Sequence, residues 1–222
     1  MERGAGSMSQ RALIWAAVVV IVGSALIFYR NFAKSKSTDQ ASKNLLDGYT
    51  QVTAQEISHL LGGRGDVVVV SWGPPADDAK DPAGPRDVQA FCAALKRAGL
   101  HLLAKDRVPP VHAGYDIVWT AENYRVMLER YPQAGVLVSF VGAPRLSAEN
   151  IRELPARRPK LVVVRGGDAK ITRKLLEQGV VDGAVLPRAE PPSSDRPPKT
   201  AREWFDKYYL FITPETVSQL RG

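Results

Sequence analysis

The chain has 222 residues, of which 45% are hydrophobic and 24% charged, a composition that excludes an intrinsically disordered protein. Its formal net charge is +7, but five basic residues and only one acidic residue lie within residues 1–36. The tightest basic cluster of the remaining chain is Arg157, Arg158 and Lys160, which we interpret as a solvated loop, so no nucleic-acid partner is predicted. A single cysteine, Cys92, excludes an intrachain disulfide.

Residues 12–29 form an apolar segment without a single charge. As a helix it would span about 27 Å, close to the hydrocarbon thickness of a bilayer. Arg11 and Arg30 bracket it, and Trp15 and Tyr29 lie near its ends, where aromatic residues favour the membrane interface. We therefore predict an N-terminal tail over residues 1–11, a transmembrane helix over 12–29 with the lipid bilayer as partner, and a polar tether over 30–52.

A cleaved signal peptide is the main alternative to a retained anchor. Gly23, Ser24 and Ala25 offer small residues for cleavage after Ala25, although apolar residues continue through Tyr29. The basic residues on the C-terminal side of the segment favour a cytoplasmic domain, but this rule is weak for a long domain. Short-tailed N-terminal anchors usually export the domain attached to them, so we expect a single-pass protein with an extracytoplasmic C-terminal domain.

Residues 53–222 are predicted to form one α/β domain. The sequence from Thr53 to Glu56 has the form of a capping box and predicts a short helix that ends at Leu61. After it, apolar runs typical of buried strands alternate with segments of helical spacing. The predicted strands cover residues 66–71, 100–104, 135–141, 160–165 and 180–186, and helices are predicted over 86–98 and 120–130 and after the capping residues Ser147 and Asp168.

Five strands separated by four helices predict a mainly parallel sheet with helices on both faces. We expect a doubly wound sheet of five or six strands with the flavodoxin-like order 2-1-3-4-5. Residues 208–213 are the candidate sixth strand, and a terminal helix is predicted to start at Thr213, Pro214 and Glu215. The segment 189–200 is rich in proline and is expected to be an exposed excursion.

Ligands of such sheets bind beyond the carboxyl ends of the strands, at the point where the strand order reverses. Glycines in these loops let the backbone approach a ligand, and an aromatic side chain can stack on it. The loops could equally be ordinary strand-to-helix turns, which need glycine and proline in any case. The candidate ligand-binding residues are Ser71, Trp72 and Gly73 after the first strand, Gly142 and Arg145 after the third, and Gly166 and Gly167 after the fourth.

The sequence contains no recognisable catalytic motif. The glycines at 62–65 precede a strand, whereas phosphate-binding loops come after one, and His59, His101 and His112 lie on different elements without ligand spacing. No catalytic residue, metal site or cofactor is therefore predicted. We favour a non-enzymatic module that binds a partner protein or a small ligand, and a membrane-anchored enzyme that uses the strand-end cleft remains the alternative.

Two segments that join a helix to the next strand are similar in sequence pattern to a known protein family. Residues 91–99, Phe-Cys-Ala-Ala-Leu-Lys-Arg-Ala-Gly, precede a strand, and residues 175–186 read Leu-Leu-Glu-Gln-Gly-Val-Val-Asp-Gly-Ala-Val-Leu. This succession resembles one lobe of the type I periplasmic sugar-binding proteins. The resemblance implies a lobe of the kind that closes with a second lobe on a ligand, and it assigns no ligand-binding residue by position.

Overall fold

The computed structural model describes residues 39–73, 86–114, 116–165, 168–190, 192 and 196–219. Residues from Leu45 onward belong to one compact unit. The predicted transmembrane segment 12–29 lies outside the described residues, and none of the helices that are described is long and apolar enough to cross a bilayer. The elements in chain order are α1 (residues 39–60), β1 (Asp66–Trp72), α2 (Arg86–Arg97), β2 (His101–Val108), β3 (Val111–Ala113), β4 (Asp116–Val118), α3 (Ala121–Arg130), β5 (Val136–Ser139), α4 (Ala148–Arg152), β6 (Lys160–Val163), α5 (Ala169–Glu177), β7 (Gly183–Pro187), α6 (Ala201–Tyr208), β8 (Tyr209–Ile212) and a 3-10 turn (Val217–Gln219).

The main sheet has six strands in the order β2-β1-β5-β6-β7-β8. The first five are parallel, and they take the order 2-1-3-4-5 that the alternation of strands and helices predicts. β8 pairs antiparallel with β7 and closes one edge. β3 and β4 form a separate antiparallel hairpin, which the sequence analysis missed because each strand has only three residues.

Two apolar cores lie on opposite faces of the sheet. Val68 and Val70 of β1 face the first core, with side chains of α3 and α5, whereas Val67 and Val69 face the second, with side chains of α1, α2 and α6. Because successive side chains of a strand point to opposite faces, a strand buried on both sides must be apolar at every position. This requirement explains the uninterrupted valines of β1.

The first helix is much longer than predicted. α1 occupies residues 39–60, so the predicted capping box at Thr53 is wrong: this residue lies inside the helix and is fully buried. Residues 45–52, assigned to the tether from their polar composition, are helical, and Tyr49 and Val52 pack in the second core. The compact unit therefore starts before residue 53.

The C-terminal segment also differs from its prediction. The strand expected over residues 208–213 is present as β8, but the helix expected from Thr213 is only a turn followed by the 3-10 turn, as far as residue 219. The Thr216 hydroxyl accepts a hydrogen bond from the Thr213 amide at 2.9 Å, which favours the local turn over a regular helix.

Candidate functional site

The cleft of interest lies at the carboxyl edge of the sheet, over the loops that come after β5 and β6. It comprises a cavity of ≈ 350 Å³ and an adjoining cavity of ≈ 540 Å³, and both are lined by Arg145, Asp168 and Ile171. We call the two together the strand-end cleft. The first cavity is otherwise lined by residues of β4 and the β5 loop, Ile117, Val118, Trp119, Val141 and Ala143, and the second by Leu146, Ser147, Lys174 and Leu175.

Backbone pairing fixes the position of Arg145. Its amide donates to the carbonyl of Trp119 at 2.8 Å, and Thr120 forms an isolated parallel bridge with Arg145. Thr120 is also the N-cap of α3, where its hydroxyl accepts from the Asn123 amide at 3.2 Å. The β5 loop is thus attached to the segment between β4 and α3, so the backbones that carry Arg145 and Trp119 lie side by side.

A tight turn after β5 brings the chain back toward this segment. The Ser139 hydroxyl donates to the carbonyl of Gly142 at 2.6 Å and accepts from the Val141 amide at 3.2 Å. Gly142 has φ +90°, a conformation that other residues avoid. Gly142 is buried, so its role here is to form the turn that places Arg145.

Asp168 brings the start of α5 to the cleft. Its carboxylate accepts from the Lys170 amide at 2.7 Å, and its carbonyl accepts from the Thr172 hydroxyl at 3.1 Å. The predicted cap is therefore confirmed. The amino end of a helix carries a partial positive charge and backbone donors, both of which favour acceptor groups nearby.

The residues at the end of β1 are not part of the lining of the strand-end cleft. Ser71 is buried, and Trp72 is half-buried and packs against the first core. The Gly73 amide donates to the Val108 carbonyl of β2 at 3.2 Å, and a Cβ atom on Gly73 would lie 2.9 Å from the Arg107 side chain. None of the three residues predicted here lines the cleft.

Of the seven residues predicted from the sequence, Arg145 lines the cleft and Gly142 shapes its loop. Gly166 and Gly167 lie outside the described residues. Among the residues that are described, no group of three His, Cys, Asp or Glu side chains could hold a metal ion. The cleft thus offers the guanidinium of Arg145, the ammonium of Lys174, the carboxylate of Asp168 and the hydroxyl of Ser147 beside several apolar residues.

Trp119, like Asp168, lines the cleft but was not among the predicted ligand-binding residues. It is 1% exposed, and its ring packs edge-on against Tyr124 at a centroid distance of 5.3 Å. The indole Nε1 has no hydrogen-bond partner among the described residues. Burial raises the pKa of Tyr124 to about 12, so its hydroxyl stays neutral. An aromatic residue directly before the helix-capping Thr120 was the available signal.

A separate cavity of ≈ 370 Å³ lies between α3 and α4. α4 has only five residues and none of them is buried, so it covers the sheet incompletely. Leu128 and Leu154 line the cavity, and Arg125 and Glu153 form an ion pair of 3.8 Å between two exposed side chains. With charges of both signs, this cavity does not indicate a ligand class.

No protein-family model and no curated protein matches the sequence. Solved structures that match include AraP, an arabinose binding protein from Geobacillus stearothermophilus, at 14% identity and a TM-score of 0.48 over 81% of this chain and 63% of that one. A sugar-binding protein of a sugar ABC transporter from Bacillus halodurans matches at 13% identity and a TM-score of 0.46, over 79% and 64%. The XylFII-LytSN complex matches at 18% and 0.47, over 78% and 60%.

Sugar-binding proteins are thus among the solved structures that this chain is similar to, and they are the class that the sequence resembles. The chain spans less than two thirds of the length of each of these three structures. With identities below 25% and TM-scores below 0.5, the likeness assigns no ligand to this chain. The ligand chemistry is therefore inferred from the residues of the cleft.

Proposed function

We propose that this chain is a membrane-anchored α/β module that binds a small polar ligand in the strand-end cleft. The observation that carries the proposal is the convergence of Arg145 and Asp168 on one cavity whose exposed surface is more polar than apolar. In small-molecule sites, polar groups of this kind fix the orientation of the ligand. The guanidinium of Arg145 has N–H donors and no acceptor, so its role is to hold acceptor groups of the ligand.

The geometry of the loop supports a preformed site. The Arg145 backbone is held by the Trp119 carbonyl, and the Asp168 carboxylate is held by the Lys170 amide. A group whose backbone is already fixed loses less conformational entropy when a ligand arrives. We propose small hydroxylated compounds as the ligand class, with monosaccharides and their acid forms as the compounds to be tested.

Replacing Arg145 by glutamine is expected to weaken ligand binding at least tenfold, or about 1.4 kcal/mol. The experiment uses the full chain in lipid nanodiscs and calorimetric titration with arabinose, glucose, galactose, glucuronate and galacturonate. Arg173→Gln is the matched control, because Arg173 lies on α5 outside the cleft lining and forms an ion pair with Glu177. Equal affinities for wild type and Arg145→Gln would contradict the assignment of the cleft.

We also propose that residues 12–29 are a retained anchor and that the α/β domain is extracytoplasmic. The absence of charge over this segment and its flanking arginines support the anchor. The protein is expected to stay with the membrane pellet after an alkaline carbonate wash. Protease added outside intact cells should digest the C-terminal domain. A mature protein that starts at Leu26 and appears in the supernatant would contradict the anchor.

A further inference from the structure

Ser139 is a buried polar residue at the end of an apolar strand. It is the last residue of β5 and is 0% exposed, and the other residues of that strand are valine or leucine. A buried hydroxyl is unfavourable unless it forms hydrogen bonds, so its partners show what it contributes to the fold. Both the hydroxyl and the backbone carbonyl of Ser139 bond to loop residues at the carboxyl edge of the sheet.

The hydroxyl of Ser139 orders the loop that leads to Arg145. It donates to the Gly142 carbonyl at 2.6 Å and accepts from the Val141 amide at 3.2 Å. Residues 140–144 are all buried, and Arg145 is the first exposed residue after β5. Buried backbone groups need partners within the protein because they have lost their hydrogen bonds to water. One hydroxyl thus serves a donor and an acceptor of this loop at the same time.

The backbone carbonyl of Ser139 holds the start of the neighbouring loop. It accepts from the Val164 amide at 2.9 Å and from the Arg165 amide at 3.4 Å, directly after the end of β6. Asp168, which lines the cleft and caps α5, comes three residues after Arg165. Ser139 is therefore bonded to both segments of chain that lead to the polar groups of the cleft.

We infer that Ser139 is a positioning residue of the strand-end cleft. The inference rests on the proposed function, because it concerns how the same cleft is kept in its binding geometry. Ser139 lines neither cavity, so it acts through the loop and not on the ligand. Loss of its hydroxyl leaves the Val141 amide and the Gly142 carbonyl without a partner, and the loop must move to regain one. A displaced Arg145 has to be reordered when a ligand arrives, which weakens binding.

Threonine and valine at position 139 separate the effect of the hydroxyl from that of side-chain volume. Both add a methyl group and have nearly the same shape, but only threonine keeps the hydroxyl. The full chain in lipid nanodiscs is titrated with arabinose, glucose, galactose, glucuronate and galacturonate, and the compound that binds the wild type most tightly is the probe. Ser139→Val is expected to bind this probe about tenfold or more weakly than Ser139→Thr does. Equal affinities for the two variants would overturn the inference and leave the proposed function standing.

Hydrogen exchange of the loop amides tests the role of Ser139 without a ligand. The loop amides between residues 141 and 145 are expected to exchange about tenfold or more faster in Ser139→Val than in Ser139→Thr, because the turn opens more readily without the hydroxyl. If no compound binds to the wild type, the proposed function fails and this comparison alone decides the role of Ser139. Equal exchange of the loop in the two variants would overturn the inference.

A substitution elsewhere in the sheet controls for a general loss of stability. Val67→Ala truncates another side chain that is 0% exposed, in β1, and leaves the hydrogen bonds of Ser139 in place. It is expected to lower the melting temperature and to keep the wild-type affinity for the probe. If Val67→Ala weakens binding as much as Ser139→Val does, lost stability explains both effects and the inference is wrong.

Ser139→Ala keeps the experiment decisive if the larger side chains do not fit at this buried position. It removes the hydroxyl without adding volume, so binding about tenfold or more weaker than that of the wild type is expected, together with faster exchange of the loop. Wild-type affinity and wild-type loop exchange in Ser139→Ala would overturn the inference.

Discussion

Replacing Asp106 by alanine is expected to lower the free energy of unfolding by about 2–4 kcal/mol. Asp106 lies in β2 and is 4% exposed. Its carboxylate accepts from the Arg130 guanidinium at 2.6 Å, the Tyr131 hydroxyl at 2.9 Å and the Arg107 amide at 2.7 Å. Without the carboxylate, the Tyr131 hydroxyl and the Arg107 amide lose their acceptor. The edge strand β2 also loses its hydrogen bonds to the Arg130 and Tyr131 side chains at the end of α3.

The exposure of Arg130 limits the effect of this substitution. Its side chain is 52% exposed and can be rehydrated. Loss of the ion pair therefore lowers the free energy of unfolding less than the loss of the acceptor for the Tyr131 hydroxyl and the Arg107 amide. Tyr131→Phe removes one hydrogen bond and should cost about 1 kcal/mol. Glu129→Ala, which removes an exposed acid from the same helix, serves as the control. Urea denaturation that gives equal stabilities for Asp106→Ala and Glu129→Ala would contradict this account.

Replacing Gly48 by alanine is expected to destabilise the protein by about 1–2 kcal/mol, the reverse of the usual effect inside a helix. Alanine normally stabilises a helix by about 1 kcal/mol relative to glycine. A Cβ atom on Gly48, however, would lie 2.7 Å from the Ala201 carbonyl oxygen and 2.9 Å from the Trp204 Cβ. Overpacking of this kind costs about 1–3 kcal/mol, and larger side chains should cost more.

The sign of the Gly48 effect is the test of the α1–α6 contact. Gln55→Ala on the exposed side of α1 is the matched control and should change stability by less than about 0.5 kcal/mol. Thermal melts of both variants provide the measurement. A Gly48→Ala variant that melts above the wild type would mean that α6 does not approach α1 as closely as the structure describes.

Three of the predicted helix caps are confirmed, whereas Thr53 lies inside a helix and Thr213 precedes only a turn. Thr120, Ser147 and Asp168 all cap the helices that start after them. These predictions were right because a cap needs only its own side chain and the next three amides. The prediction over residues 39–52 was incomplete, because the segment is polar and contains Gly48. Its helix depends on Tyr49 and Val52 packing in the second core.

The candidate site was predictable only in part. Arg145 comes after a buried strand, and the general rule for parallel sheets placed it at the ligand-binding edge. The same rule placed Trp72 there, but the Gly73 amide pairs with Val108 of β2, and the end of β1 lies along β2. Trp119 belongs to a segment without regular periodicity, so no pattern connected it with Arg145.

The sequence by itself determined the class of the fold, its mainly parallel sheet and the order of its five parallel strands. These properties arise from the length and spacing of apolar runs and from the handedness of crossover connections, which act between neighbours along the chain. Only the tertiary structure decided that Trp119, Arg145 and Asp168 share one cleft and that Asp106 joins β2 to α3. Such contacts join residues far apart in sequence, and their positions depend on how loops pack over the sheet, which no local periodicity encodes.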